Sequence, residues 1–273
     1  MKRWIAAAAL GCGFITATLC RARAASGPVQ EAVGIAASAR SFILAFPANV
    51  IQGDQVTIFA ACVGHSNQLA VSGLGGAVWN LVENNPLPLD PDSPADSLWQ
   101  TAAPAGAGNS ITVTATSADE CAAHAAEWSG TTGVKDMGAA NDRNSDWFGG
   151  LGTPPTINAN DLVIMDVAWK GPATITGAPT GSTGPLRVYT AIAPVNAGGV
   201  LSIQPYYFLA WRGGSFPAVN GSFDSASDWS TLQVALKSAS ANPSPTAAPP
   251  CAGPTPPGAV MPRPCTGWGA SQW

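Results

Sequence analysis

Both histidines of the chain stand three residues after a cysteine, in Cys62-Val-Gly-His65 and Cys121-Ala-Ala-His124. Two Cys-x2-His units carry the donors of a tetrahedral Cys2His2 zinc site. Strand geometry works against that site, because positions i and i+3 of a strand face opposite sides. Both units would have to bend; Gly64 permits this in the first, whereas Ala122-Ala123 gives no help in the second. An oxidising compartment favours a Cys62–Cys121 disulfide instead. That pairing is the expectation, with a metal site or free thiols as alternatives. No metal or cofactor is assigned.

Carboxylates are the next source of chemistry. Glu127 and Asp166 lie inside strand-like runs among apolar neighbours, where burial could raise a pKa as an acid catalyst requires. A glycosidase needs two such groups about 5–10 Å apart on one face, so these two are the pair to name. Three acidic segments could offer oxygen ligands to Ca2+: Asp90, Asp92 and Asp96; Asn141, Asp142, Asn144 and Asp146; and Asp224 with Asp228. None has the spacing of an EF-hand loop. A Ser-His-Asp triad has only His65 and His124 to draw on, and no Gly-x-Ser-x-Gly elbow or phosphate-cradling Gly loop is present. No catalytic residue is assigned, and a non-catalytic role is favoured.

Aromatic side chains are the third source, since sugars stack on exposed rings. Trp128, Trp169 and Trp211 end hydrophobic strands and read as core. Trp99 and Trp147 stand beside acidic or Gly-rich segments and are the candidate ligand-binding residues.

The elements that must position these groups are short strands. Phe42, Leu44 and Phe46 alternate in one run, Val56, Ile58 and Ala60 in the next, and Ile111, Val113 and Ala115 in another. Val163, Met165 and Val167 follow, and Leu232, Val234 and Leu236 close the series. Gly, Pro, Asn and Asp punctuate them every 8 to 12 positions, and no amphipathic helix stands out. This pattern predicts an all-β, antiparallel β-sandwich with jelly-roll character.

A weak internal repeat divides the body. Ile51-Gln-Gly-Asp54-Gln-Val-Thr-Ile-Phe59 resembles Ile157-Asn-Ala-Asn-Asp161-Leu-Val-Ile-Met165. Ala126-Glu-Trp128-Ser-Gly130 echoes Ala210-Trp211-Arg-Gly213, and Asp142–Trp147 echoes Asp224–Trp229. Two pseudo-repeated halves of one sandwich are expected, each giving strands to both sheets. Taken together, Gly53-Asp54 with its strand to Cys62, Glu127-Trp128-Ser-Gly130, and Asn160-Asp161 with its strand to Trp169 resemble a loose group of bacterial secreted and phage-associated β-sandwich proteins. That resemblance covers roughly residues 41–238. It implies a two-half architecture and an extracellular or particle-surface setting, and it transfers no functional residue.

The ends complete the organisation. Lys2 and Arg3, an apolar run from Trp4 to Cys20, and Ala22-Arg-Ala24 read as a signal peptide over residues 1–24. Residues 25–40 read as a lead-in and 41–238 as the sandwich. Residues 239–273 read as a Pro-rich tail, in which Cys251 and Cys265 close a short loop by a disulfide.

Only 10% of residues are charged against 46% hydrophobic, where ordinary domains carry roughly a quarter charged. Without Lys2, Arg3, Arg21 and Arg23, eight basic side chains face 16 acidic ones. Nucleic acid needs a basic stripe, so it is excluded as a partner. No later apolar run is long enough to span a bilayer. The sequence therefore predicts a secreted protein, extracellular, surface-bound or periplasmic. It would act by self-association or by contact with an envelope or glycan partner. A carbohydrate-binding module is the alternative, and a polysaccharide hydrolase the least favoured.

Overall fold

The computed structural model describes residues 27–63, 68–85, 94–149, 157–177, 179–181, 190–191, 195–197, 200–210 and 219–239. Within these residues the protein is all-β. The first half supplies β1 (Gln30–Ala45), β2 (Gln55–Val63), β3 (Leu69–Gly73), β4 (Asn80–Asn85), β5 (Pro94–Ala102) and β6 (Ser110–Trp128). The second supplies β7 (Thr131–Gly149), β8 (Leu162–Lys170), β9 (Thr180–Gly181), β10 (Thr190–Ala191), β11 (Val195–Ala197), β12 (Leu201–Leu209) and β13 (Val219–Ser238). They form two antiparallel sheets that pack together, as a sandwich requires. No helix of the described residues is long and apolar enough to cross a membrane.

The partition between sheets corrects one expectation. All six strands of the first half lie in one sheet, in the order β1-β6-β2-β5-β4 with β3 also on β6. All seven of the second lie in the other, in the order β10-β12-β8-β13-β7, with β11 on β12 and β9 on β13. Each half thus builds its own sheet instead of giving strands to both, and this order lends no support to the jelly-roll detail. Pairing strands that are near in sequence closes shorter loops, which costs less chain entropy.

The two sheets repeat one plan, with β7, β13, β8, β12 and β10 standing where β1, β6, β2, β5 and β4 stand. The turns before β2 and β8 match bond for bond. Asp54 N donates to Ile51 O at 3.1 Å, and Asp161 N to Asn158 O at 3.2 Å. Gly53 N reaches Ala103 O at 3.0 Å, as Asn160 N reaches Ala210 O at 2.5 Å. Gly53 and Asn160 share a left-handed backbone, with φ of 87° and 70°, a conformation open to Gly and tolerated by Asn.

The other two sequence echoes are not equivalences. Gln55 pairs with Trp128 and Leu162 with Leu236, so Leu236 is the counterpart of Trp128. Residues 211–213 lie outside the described residues. Asp142 and Trp229 are opposite each other in the ladder of β7 and β13; those two segments are partners within one sheet.

Burial on both faces of β2 and β8 explains their nearly continuous apolar runs. Val56, Ile58, Ala60 and Cys62 face a core belonging to the first half, with Phe42, Leu44 and Ile111. Val163, Met165, Val167 and Trp169 face one belonging to the second, with Trp147, Phe208 and Trp229. Between the sheets, Phe59, Leu98 and Trp128 meet Leu162, Ile164 and Val234.

The first sheet curls at β1. Its register shifts between Ala36 and Ser41, where Ser38 has φ of 64°. The two arms then approach so closely that a Cβ on Gly34 would lie 2.9 Å from the Phe42 ring and 3.2 Å from the Ile43 carbonyl. β1 starts at Gln30, inside the stretch expected to be a lead-in. The signal-peptide segment and the Cys251–Cys265 pairing lie outside the described residues.

Candidate functional site

Cys62 and Cys121 are directly opposed in the ladder of β2 and β6 and form a disulfide, with Cα atoms 4.1 Å apart. This overturns the zinc reading, since both thiolates are used. His124 lies three residues from Cys121 and is turned instead to Glu31, with Nε2 3.7 Å from Oε2. His65 lies outside the described residues. The same ladder position in the second half pairs Trp169 with Trp229, so an apolar aromatic pair stands where the first half has its covalent link.

Glu127 and Asp166 are given separate partners. Glu127 is buried on β6 and accepts from Gln30 Nε2 at 2.5 Å and from the backbone N of Ile51 at 2.8 Å. It ties the start of β1 and the turn before β2 to β6, which is a structural task. Asp166 on β8 projects into the layer between the sheets and meets Asp96 on β5. The sequence groups Asp96 with Asp90 and Asp92 in an acidic segment, and this partnership was missed. The detectable signal was its alternation with Leu98 and Gln100 on one face.

Both carboxyls are fully buried. Leu232 N donates to Asp166 Oδ1 at 3.2 Å and Ser230 Oγ to Asp96 Oδ2 at 3.3 Å. Asn85 Nδ2 supports Ser230 Oγ at 3.0 Å, and Asn141 Nδ2 supports Asn85 Oδ1 at 3.0 Å. Burial pushes Asp96 up to about 7. Burial, and then the charge of Asp96, push Asp166 well above the usual carboxylate range. Two buried carboxyls with raised pKa values are the kind of pair from which a glycosidase would draw an acid. Sealed between sheets, it has no surface from which to reach a sugar.

The acidic segments do not converge either. Asn141, Asp142, Asn144 and Asp146 belong to β7, an extended strand. Asn144 Nδ2 bonds Asp142 at 2.9 Å, and Asn144 Oδ1 accepts from Trp229 Nε1 at 3.0 Å. Asp228 faces Arg143 at 3.4 Å. Exposed Asp224 accepts from the hydroxyl and backbone N of Thr174, which hold it below the usual carboxylate range. Among the described residues no three potential metal ligands cluster. Asp90 and Asp92 lie outside them.

Of the two tryptophans expected to be exposed, Trp147 is corrected. It is 1% exposed, stacks on Tyr206 with centroids 6.3 Å apart, and lies flat over Gly221, its ladder partner. A glycine opposite leaves the space the indole fills, so no ring face remains for a sugar. Trp99 is half-buried and donates from Nε1 to Ser97 Oγ at 3.2 Å. With Gln68, Leu69, Leu81, Asn84 and Ala95 it lines a cavity of 230 Å³. A second, more open cavity of 370 Å³ runs along Trp169, Ala173, Thr174, Asn196 and Gln204. Trp128 and Trp169 are core, as expected; Trp128 Nε1 bonds Thr57 Oγ1 at 2.7 Å.

The last feature is the rim of the first sheet. Among the described residues β1 pairs only with β6, which makes it an edge strand. Along it Val33, Ile35 and Ile43 are 54%, 53% and 63% exposed. Glu31 and Arg40 are its only charged side chains. Natural edges are usually kept from pairing by charges, prolines or short length; β1 has 16 residues and no proline. Comparison with protein-family models, with curated proteins and with solved structures finds no match to this chain.

Proposed function

We propose that the chain is a secreted, non-catalytic surface protein that works by strand-edge contact, first with copies of itself and also with cell-envelope components. The observation that carries this is β1, a long edge strand whose outer row is apolar. Strand addition to such an edge supplies main-chain hydrogen bonds, and the side-chain row supplies apolar burial. The low charge supports association, and the disulfide supports an oxidising setting outside the cytoplasm. Light scattering over a concentration series is the test. The wild-type protein is expected to grow in mass with concentration, and Val33→Lys with Ile35→Lys to hold it monomeric. A strictly monomeric wild type that binds no envelope component contradicts the proposal.

A carbohydrate-binding role is the second reading, favoured by the Trp99 cavity. There a half-buried indole stands beside the amides of Gln68 and Asn84, the mixture of ring face and polar groups that sugar sites use. It predicts binding on a glycan array that Trp99→Ala removes. Trp147→Ala is no test of it, because that ring is core.

A further inference from the structure

The layer between the sheets holds two carboxyl groups where apolar contacts would otherwise be continuous. Asp96 comes from the first half and Asp166 from the second, so the pair bridges the repeat. Asp96 Oδ1 and Asp166 Oδ2 are buried, and no N–H or O–H of the described residues reaches either. Two buried acceptors without a donor are strongly unfavourable if both groups are ionised, and a proton between them removes the conflict.

Among the described residues no cation stands beside the pair to do the same. The packed elements bring Asn85 from β4, Asn141 from β7, and Ser230 with Leu232 N from β13. The ionisable side chains on those strands point to other partners or lie nearer the surface: Glu83 bonds Asn84 N, Lys135 bonds Asp161 at 2.9 Å, and Arg143 meets Asp228. Asp136 bonds the backbone N of Met137, and Asp142 that of Arg143. Asp146 and Asp224 are exposed, as is Lys237, and Lys170 is half-buried at the end of β8. β2 and β5 add no charge beyond Asp96, β12 carries only Tyr206 and Tyr207, and His124 on β6 is turned to Glu31. Among the described residues the charge that acts on Asp166 is that of Asp96, and it raises the pKa.

We infer that Asp96 and Asp166 hold one proton between them and act as a pH-sensitive latch on the contact between the two sheets. With the proton in place, a carboxylic acid donates to a carboxylate and the halves are joined by a satisfied network. When the proton leaves to bulk water, two carboxylates face each other in a dry layer and repel. Each half keeps its own apolar core on its far side, so the contact between halves is what the charge weakens.

Urea unfolding followed by tryptophan fluorescence between about pH 5 and 9, with infrared spectra of the carboxyl region, tests this. The wild-type unfolding constant is expected to rise with pH, by up to tenfold per pH unit for each proton lost. Asp166→Asn, whose amide can donate to Asp96 Oδ1, is expected to flatten that slope. Wild type should also show a protonated-carboxyl stretch at neutral pH that Asp166→Asn and Asp96→Asn each remove. An unchanged slope in a folded Asp166→Asn protein overturns the inference. So does a wild-type spectrum without that band, which decides the matter even if both variants fail to fold.

Discussion

A buried carboxylate needs donors or a proton, and both solutions occur in this molecule. Glu127 has donors, from Gln30 and Ile51. Glu127→Gln leaves one acceptor where two donors converge, so its NH2 faces either the Gln30 NH2 or the Ile51 N–H; we expect a loss of about 1–3 kcal/mol in urea unfolding and no change in any binding activity. Asp96 and Asp166 have the proton, and the sign follows from it. Both have folded-state pKa values above the ordinary 3.8, so the folded state holds more protons than the unfolded one over the interval between. The contribution of Asp96 is intact below the unfolded value and is lost as pH rises through about 7, and that of Asp166 is lost as pH rises through its own raised folded-state value. Asp224 has the opposite sign: held low by Thr174, it favours the folded state above its unfolded pKa and ceases to do so as pH falls through its folded one. Trp147→Ala, which empties the space over Gly221, is expected to cost about 3–5 kcal/mol; a loss below 1 kcal/mol in the same measurement would contradict its placement in the core.

At the scale of elements, the disulfide and the Trp169–Trp229 pair occupy one position of a repeated ladder. In the chain-entropy account a link across 59 residues stabilises by about 4 kcal/mol. Reduction, or Cys62→Ala with Cys121→Ala, should therefore lower the melting temperature markedly; an unchanged melt would show the link to be without weight. The strands themselves were legible, because alternation in runs such as Phe42–Phe46 and Ile111–Ala115 has period two and burial on one face enforces it. So was the turn before β8, because Asn160-Asp161 repeats the chemistry of Gly53-Asp54. The allocation of strands to sheets was not, since period two identifies strands without identifying their neighbours. Asp96 and Asp166 are 70 positions apart and meet only once two sheets are stacked. Trp147 looked exposed beside acidic residues, and only the ladder shows that its partner is a glycine.

At the scale of the whole molecule, the two sheets of the described residues each carry a core of their own and share a third apolar layer. The shared layer contains the only buried pair of facing acids among the described residues, and the rim of the first sheet shows an apolar edge. On the two proposals made above, the first governs how firmly the halves hold each other and the second how the molecule meets its surroundings. Light scattering across a concentration series, on wild type and on the variant with Val33→Lys and Ile35→Lys, is the most direct measurement of the second. A mass that climbs with concentration in wild type and stays at one chain in the variant is the predicted result. A wild type that remains one chain at every concentration, and binds no envelope component, would contradict the proposed function.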